Sequence, residues 1–146
     1  MGSYGQRARE LFTGGYNCAQ SVFCAFAEHF GIDFETSVRL TAGLGGGIGR
    51  LRETCGAVLG MTMAYSLARG DALTKAELYA GVQALAGRFR ERFGSLTCRD
   101  LLGDEGWDAA PTPSPRTPAY YDRRPCPGLV AFAADLLEEK LKEEGL

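Results

Sequence analysis

The sequence predicts an all-α fold, a single-domain bundle of five to six helices spanning residues 1–146. Apolar side chains recur with a helical period along several stretches. Residues that cap helix N-termini stand at the start of most of them. No segment shows the apolar–polar alternation of a half-buried strand. A chain of 146 residues can bury a real core, and its composition is that of an ordinary globular protein, 45% hydrophobic and 23% charged with a net charge of −2.

Residues 4–13 form a first short helix, with Leu11 and Phe12 apolar and Gly14-Gly15 ending it. Asn17 caps the second, and Gln20 three residues later completes a capping-box spacing. Cys18 is its first helical residue; Val22, Phe23, Phe26 and Phe30 give it an apolar face, and Gly31 closes it. Asp33 caps a third helix through Leu40.

Residues 43–60, GLGGGIGRLRETCGAVLG, organise the rest. Five glycines between Gly43 and Gly49 make a loop that another group can approach closely. From Cys55 to Ala68 no residue is charged, which reads as a buried helix capped by Thr54 and ending near Gly70. Gly56, Gly60 and Ala64 recur every fourth residue, a smooth stripe for a close helix contact within the chain or in a homodimer. Thr74, with Glu77 three residues on, caps a helix that runs to Phe93 on Leu78, Val82, Leu85 and Phe89. Thr97 caps a short turn with Cys98 first. All six prolines then fall between residues 111 and 127, so 103–125 reads as a long loop held on the surface by Tyr120 and Tyr121. Pro127 at the first position of the last helix makes Cys126 its N-cap.

Four of the five cysteines, Cys18, Cys55, Cys98 and Cys126, therefore fall at helix starts; Cys24 sits mid-helix. A helix start favours an anion, and the thiolate is both nucleophile and metal ligand. If these four ends converge, they suit an iron–sulfur cluster or a relay of redox thiols. Cys55, near Arg50 and Arg52, is the expected attacking thiolate, with Cys18, Cys98 or Cys126 to resolve it. As metal ligands the same four would hold the cluster, with Gly45, Gly46, Gly47 and Arg50 approaching the cofactor from the loop. Against this stands burial of cysteine as a small hydrophobe, the better reading for Cys24. Met61 and Met63 read as core filler and His29 as a surface residue.

Other classes are disfavoured. The glycine loop lacks the lysine of a P-loop and fits G-x-G-x-x-G in no frame. The balanced charge suggests no nucleic-acid partner. No apolar stretch is long enough for a membrane span, and MGSYGQRARE has no hydrophobic signal region, so a cytoplasmic protein is expected. The cysteines are not paired as CxxC, which weakens zinc-ribbon and thioredoxin readings.

NCAQSV at 17–22, GLGGGIGR at 43–50, CGAVLG at 55–60, FGSLTCRDLLG at 93–103 and Cys126 before an apolar helix resemble the C-GCAxxG-C-C family. The resemblance implies a redox-active protein of about this length with four characteristic cysteines and a CGAxxG motif. Carried over by position, those cysteines are Cys18, Cys55, Cys98 and Cys126. The insert at 103–125 is this chain's own elaboration, placed to alter access to Cys98 and Cys126.

Three readings stand. The first is a small redox protein, an oxidoreductase if it turns over a substrate, that exchanges electrons with a redox partner protein. It works through an iron–sulfur cluster or, with no cofactor, through dithiol–disulfide cycling. The second is a metal-binding module without redox chemistry, such as structural zinc. The third is a helical interaction protein whose cysteines only pack.

Overall fold

Asn17 opens the helix around which the others pack. Its extended backbone and short amide satisfy two amides at once. The Asn17 Oδ1 accepts from the Gln20 amide at 2.8 Å, and the Gln20 Oε1 accepts from the Asn17 amide at 2.9 Å. Helix α2 (Cys18–Ala27) buries eight of its ten residues, so apolar contacts surround it. Around it lie α1 (Ser3–Thr13), α3 (Phe34–Thr41), α4 (Gly56–Arg69) and α8 (Cys126–Glu143).

The computed structural model describes residues 3–106 and 111–146. Among them the all-α class holds. There are eight α-helices and no strand, only an isolated antiparallel bridge between Thr54 and Thr97. The remaining helices are α5 (Lys75–Phe93), α6 (Cys98–Gly106) and α7 (Pro118–Arg123). Helix α6 is broken at Gly103, where φ is 66°. Helix α7 departs from the expectation of a loop over 103–125. Thr117 caps it, accepting from the Tyr120 amide at 3.2 Å, and Pro118 fills its first turn. Residues 107–110 of that segment lie outside the described residues.

The small-residue stripe of α4 makes its contact inside the chain. A Cβ added at Gly60 would meet the Ala19 carbonyl oxygen at 2.6 Å, and one at Gly56 the Ala19 nitrogen at 2.9 Å. Two helix backbones thus touch, which sets the start of α4 beside the start of α2. The core continues through Phe12, Phe26, Met61, Tyr65, Leu85 and Phe89, all essentially inaccessible. Met61 is core filler as read, and His29 is exposed on a short 3-10 turn. No helix among the described residues is long and apolar enough to cross a membrane.

Candidate functional site

The glycine loop is a left-handed turn. Gly46, Gly47, Ile48, Gly49 and Arg50 are successive residues with φ between 55° and 71°, and Arg52 follows at 62°. For each non-glycine residue that conformation costs about 1–2 kcal/mol, and for β-branched Ile48 it is a true outlier. Hydrogen bonds hold it in place. The amides of Arg50, Arg52 and Glu53 reach back to the carbonyls of Gly45, Gly46 and Gly47 at 3.0–3.1 Å. Only a glycine fits at 47, where a Cβ would meet the Cys98 Cβ and the Glu53 nitrogen, each at 2.7 Å.

The loop then pairs with the segment before α6. Cys55 donates its amide to the Leu96 carbonyl at 2.8 Å, and Cys98 donates to the Glu53 carbonyl at 2.6 Å. This short antiparallel pairing brings the starts of α4 and α6 together. The Gly56–Ala19 contact adds the start of α2, since a Cβ at Gly56 would lie 3.0 Å from the Cys18 Cβ. Helix α8, packed on α2 and α4, supplies the fourth. Cys18, Cys55, Cys98 and Cys126 accordingly line one cavity of about 250 Å³. Cys24 is not among its lining residues. It is buried beside the Thr41 hydroxyl, and burial pushes its thiol up to about 11.

Two helix boundaries shift by one residue from the sequence reading. Cys55, not Thr54, is the N-cap of α4, and Cys126 is the first residue of α8 rather than its cap. The expected cofactor-facing residues Gly45, Gly46, Gly47 and Arg50 all line the cavity.

The thiols differ sharply in charge preference. Cys55 is not the depressed thiol the sequence suggested. Burial pushes it up to about 12, and the first-turn amides of Ala57 and Val58 offset this only in part. Arg52 turns instead to Cys98, with its Nη1 donating to Sγ at 3.5 Å. Burial still leaves Cys98 above an ordinary thiol. Cys18 donates its thiol hydrogen to Cys126. That bond, burial and three neighbouring sulfurs hold Cys18 well above the usual range. Cys126 is driven the other way. The Cys18 donor lowers it, burial opposes, and the guanidinium groups of Arg124 and Arg116 lower it further.

Arg116 and Arg124 belong to the segment read as surface covering, as do Ser114 and Tyr120, which also line the cavity. Arg116 is clamped. It donates to the carbonyls of Phe12 at 2.9 Å and Tyr16 at 3.0 Å, with its guanidinium 4.3 Å from the Phe12 ring centroid. The only sequence signal for these residues is the clustering of arginine with the tyrosines and prolines.

Among the described residues no group of three or more His, Cys, Asp or Glu side chains is placed to hold a metal ion, so a single zinc on four thiolates does not fit. A cluster poses a different test, because it separates its thiolate ligands around a body of iron and sulfide. Four thiols around one cavity suit it. So do the amides of Gly46 and buried Gly47, which donate to no protein acceptor among the described residues.

A family model described as "Putative redox-active protein (C_GCAxxG_C_C)" matches residues 16–140. No curated protein and no solved structure matches the chain. The matched span takes in α2, the glycine loop and all four cavity cysteines, and the chain belongs to the C_GCAxxG_C_C family.

Proposed function

We propose that this is a cytoplasmic redox protein in which the four cysteines act as one site, with Cys126 and Cys18 as its working dithiol. One observation carries this reading: Cys18 and Cys126, hydrogen-bonded to one another, line a single cavity that Arg116 and Arg124 also line. Cys126 supplies the thiolate and attacks one sulfur of a disulfide substrate. The S–S bond breaks, a mixed disulfide forms, and one substrate thiolate departs. Cys18 then passes its proton to that thiolate and attacks the Cys126 sulfur. The second substrate thiolate leaves, and Cys18 and Cys126 end as a disulfide. Two protein thiols are oxidised as one substrate disulfide is reduced. Cys98, with Arg52 donating to its sulfur, lines the same cavity as a further thiol.

Mild oxidation followed by peptide mapping tests this directly. The expected product is a Cys18–Cys126 disulfide, with Cys18→Ser trapping a mixed disulfide on Cys126. A different first pairing, or four thiols that survive oxidant, would sink it.

The Gly46 and Gly47 amides, which have no acceptor among the described residues, favour a second reading, an iron–sulfur cluster held by Cys18, Cys55, Cys98 and Cys126. Such a cluster supplies one-electron transfer. The chain's part would be to present four thiolates, amide donors from the loop and the positive charge of Arg52, Arg116 and Arg124. Iron and acid-labile sulfide measured on protein purified without oxygen separate the two. Stoichiometric amounts, lost in Cys55→Ser, would establish the cluster.

A further inference from the structure

Four arginines, Arg50, Arg52, Arg116 and Arg124, line the cavity. Two of the arginines converge. Arg50 Nη1 donates to Ser114 Oγ at 3.2 Å, and Arg124 Nη2 donates to the same oxygen at 3.3 Å. These residues are 74 positions apart in the numbering only because one comes from the glycine loop and the other from the stretch before α8; the fold brings them to a single hydroxyl. On the loop side, the amides of Gly46 and buried Gly47 have no protein acceptor among the described residues, and both glycines line the same cavity. Buried backbone donors rarely go unmatched, so an acceptor from outside the chain belongs there. Guanidinium groups bind oxyanions through charge-assisted hydrogen bonds, and successive backbone amides in a turn can form a concavity that binds an anion.

We propose that Arg50, Arg124, Ser114 and the Gly46–Gly47 amides form a subsite for a carboxylate or similar oxyanion, and that the substrate is a small disulfide bearing such a group near its sulfur. The substrate class rests on the dithiol reading above; the anion subsite does not. At about 250 Å³ the cavity lies just below the usual range for ligand pockets, which suits a small molecule rather than a folded protein's loop. With its charged group on the arginines, the substrate places its S–S bond within the ring of cysteines that lines the same cavity.

Alkylation rates at Cys126 test the subsite without any substrate. The probes are iodoacetate, an anion, and iodoacetamide, its neutral analogue, each resolved by peptide mass. Their rate ratio cancels changes in how much thiolate is present. Relative to free cysteine in the same buffer, the ratio should favour iodoacetate by about tenfold, within the range that a focused positive cleft produces. The iodoacetate rate should saturate, and millimolar sulfate should compete more strongly than sodium chloride at equal ionic strength. Arg50→Gln and Arg124→Gln should each cut the preference severalfold, with the iodoacetamide rate reporting that the fold is intact. If either variant fails to fold, sulfate competition in the unaltered protein decides alone.

A ratio equal to that of free cysteine overturns the subsite. So does a preference that never saturates and falls equally with either salt, which would indicate a diffuse field. Cys126 inert to both reagents overturns the subsite and the dithiol reading together. Saturable iodoacetate preference in a protein whose thiols never pair would remove the redox reading and leave the subsite standing.

Discussion

Cys18 is the hydrogen-bond donor and Cys126 the acceptor in a contact between the first residues of α2 and α8. The asymmetry comes from what surrounds each sulfur. The guanidiniums of Arg124 and Arg116 lower Cys126, whereas burial and the sulfurs of Cys126, Cys55 and Cys98 raise Cys18. Cys126 should therefore be the first cysteine alkylated near neutral pH, with a rate that levels off below the pH of an ordinary thiol. Cys18→Ala removes the donor and should move that midpoint upward. A profile unchanged by Cys18→Ala would mean that the arginines alone hold the thiolate.

Cys55 makes the opposite prediction. Its folded thiol titrates near 12, above the value of about 8.5 for an unfolded one, so the neutral form is the one that the fold favours. The associated stability is fully present below about pH 8.5 and is lost as pH rises toward 12. Urea midpoints measured between pH 8 and 11 should fall steadily. Cys55→Ala should be less stable at pH 7, with a shallower alkaline decline.

Gly60→Ala tests the backbone contact that aligns two of the cysteine-bearing helices. The new methyl has the Ala19 carbonyl at 2.6 Å, and backbone cannot swing aside. A loss of about 1–3 kcal/mol is expected in denaturant unfolding. An unaffected protein would show that α4 and α2 can separate without strain. Gly87→Ala, inside α5 with open space around its Cβ, should stabilise by roughly 0.5–1 kcal/mol and serves as the control.

Arg116→Ala should loosen the segment that covers the cavity. It removes hydrogen bonds to the carbonyls of Phe12 and Tyr16 and the stacking on Phe12, together worth roughly 1–3 kcal/mol. Limited proteolysis should cut between residues 111 and 125 faster than in the unaltered protein, and the Cys126 alkylation midpoint should rise. Faster cutting with no change at Cys126 would assign Arg116 to anchoring only.

The starts of α2 and α5 were legible because their signals are local. Asn17 with Gln20, and Thr74 with Glu77, are capping boxes four residues long, and both are present. Thr117 before Pro118 is a signal of the same kind, obscured by the prolines around it. Convergence of the sulfurs was not legible, since it depends on Gly60 meeting Ala19 and on Cys55 and Cys98 exchanging bonds with each other's strands. Nor was the thiolate. Arginines next to Cys55 in sequence pointed there, but Arg52 turns to Cys98, and the groups that charge Cys126 include Arg116, anchored to carbonyls about a hundred residues earlier. Ile48, Arg50 and Arg52 have no intrinsic preference for left-handed backbone. Their conformation is imposed by the glycines between them and by bonds that close only in the finished fold.

The distance in sequence between Cys18 and Cys126 has a thermodynamic consequence. A bond between them would close about three quarters of the chain into a ring, and cross-linking a loop of about 100 residues restricts the unfolded ensemble by roughly 4.7 kcal/mol on a chain-entropy estimate. Electron transfer and unfolding then form a closed cycle. Packing that favours the bonded geometry makes the bond harder to reduce, and by the same amount makes the oxidised form more resistant to unfolding than the reduced one. In such a molecule the midpoint potential and the difference in stability between the two redox forms are linked.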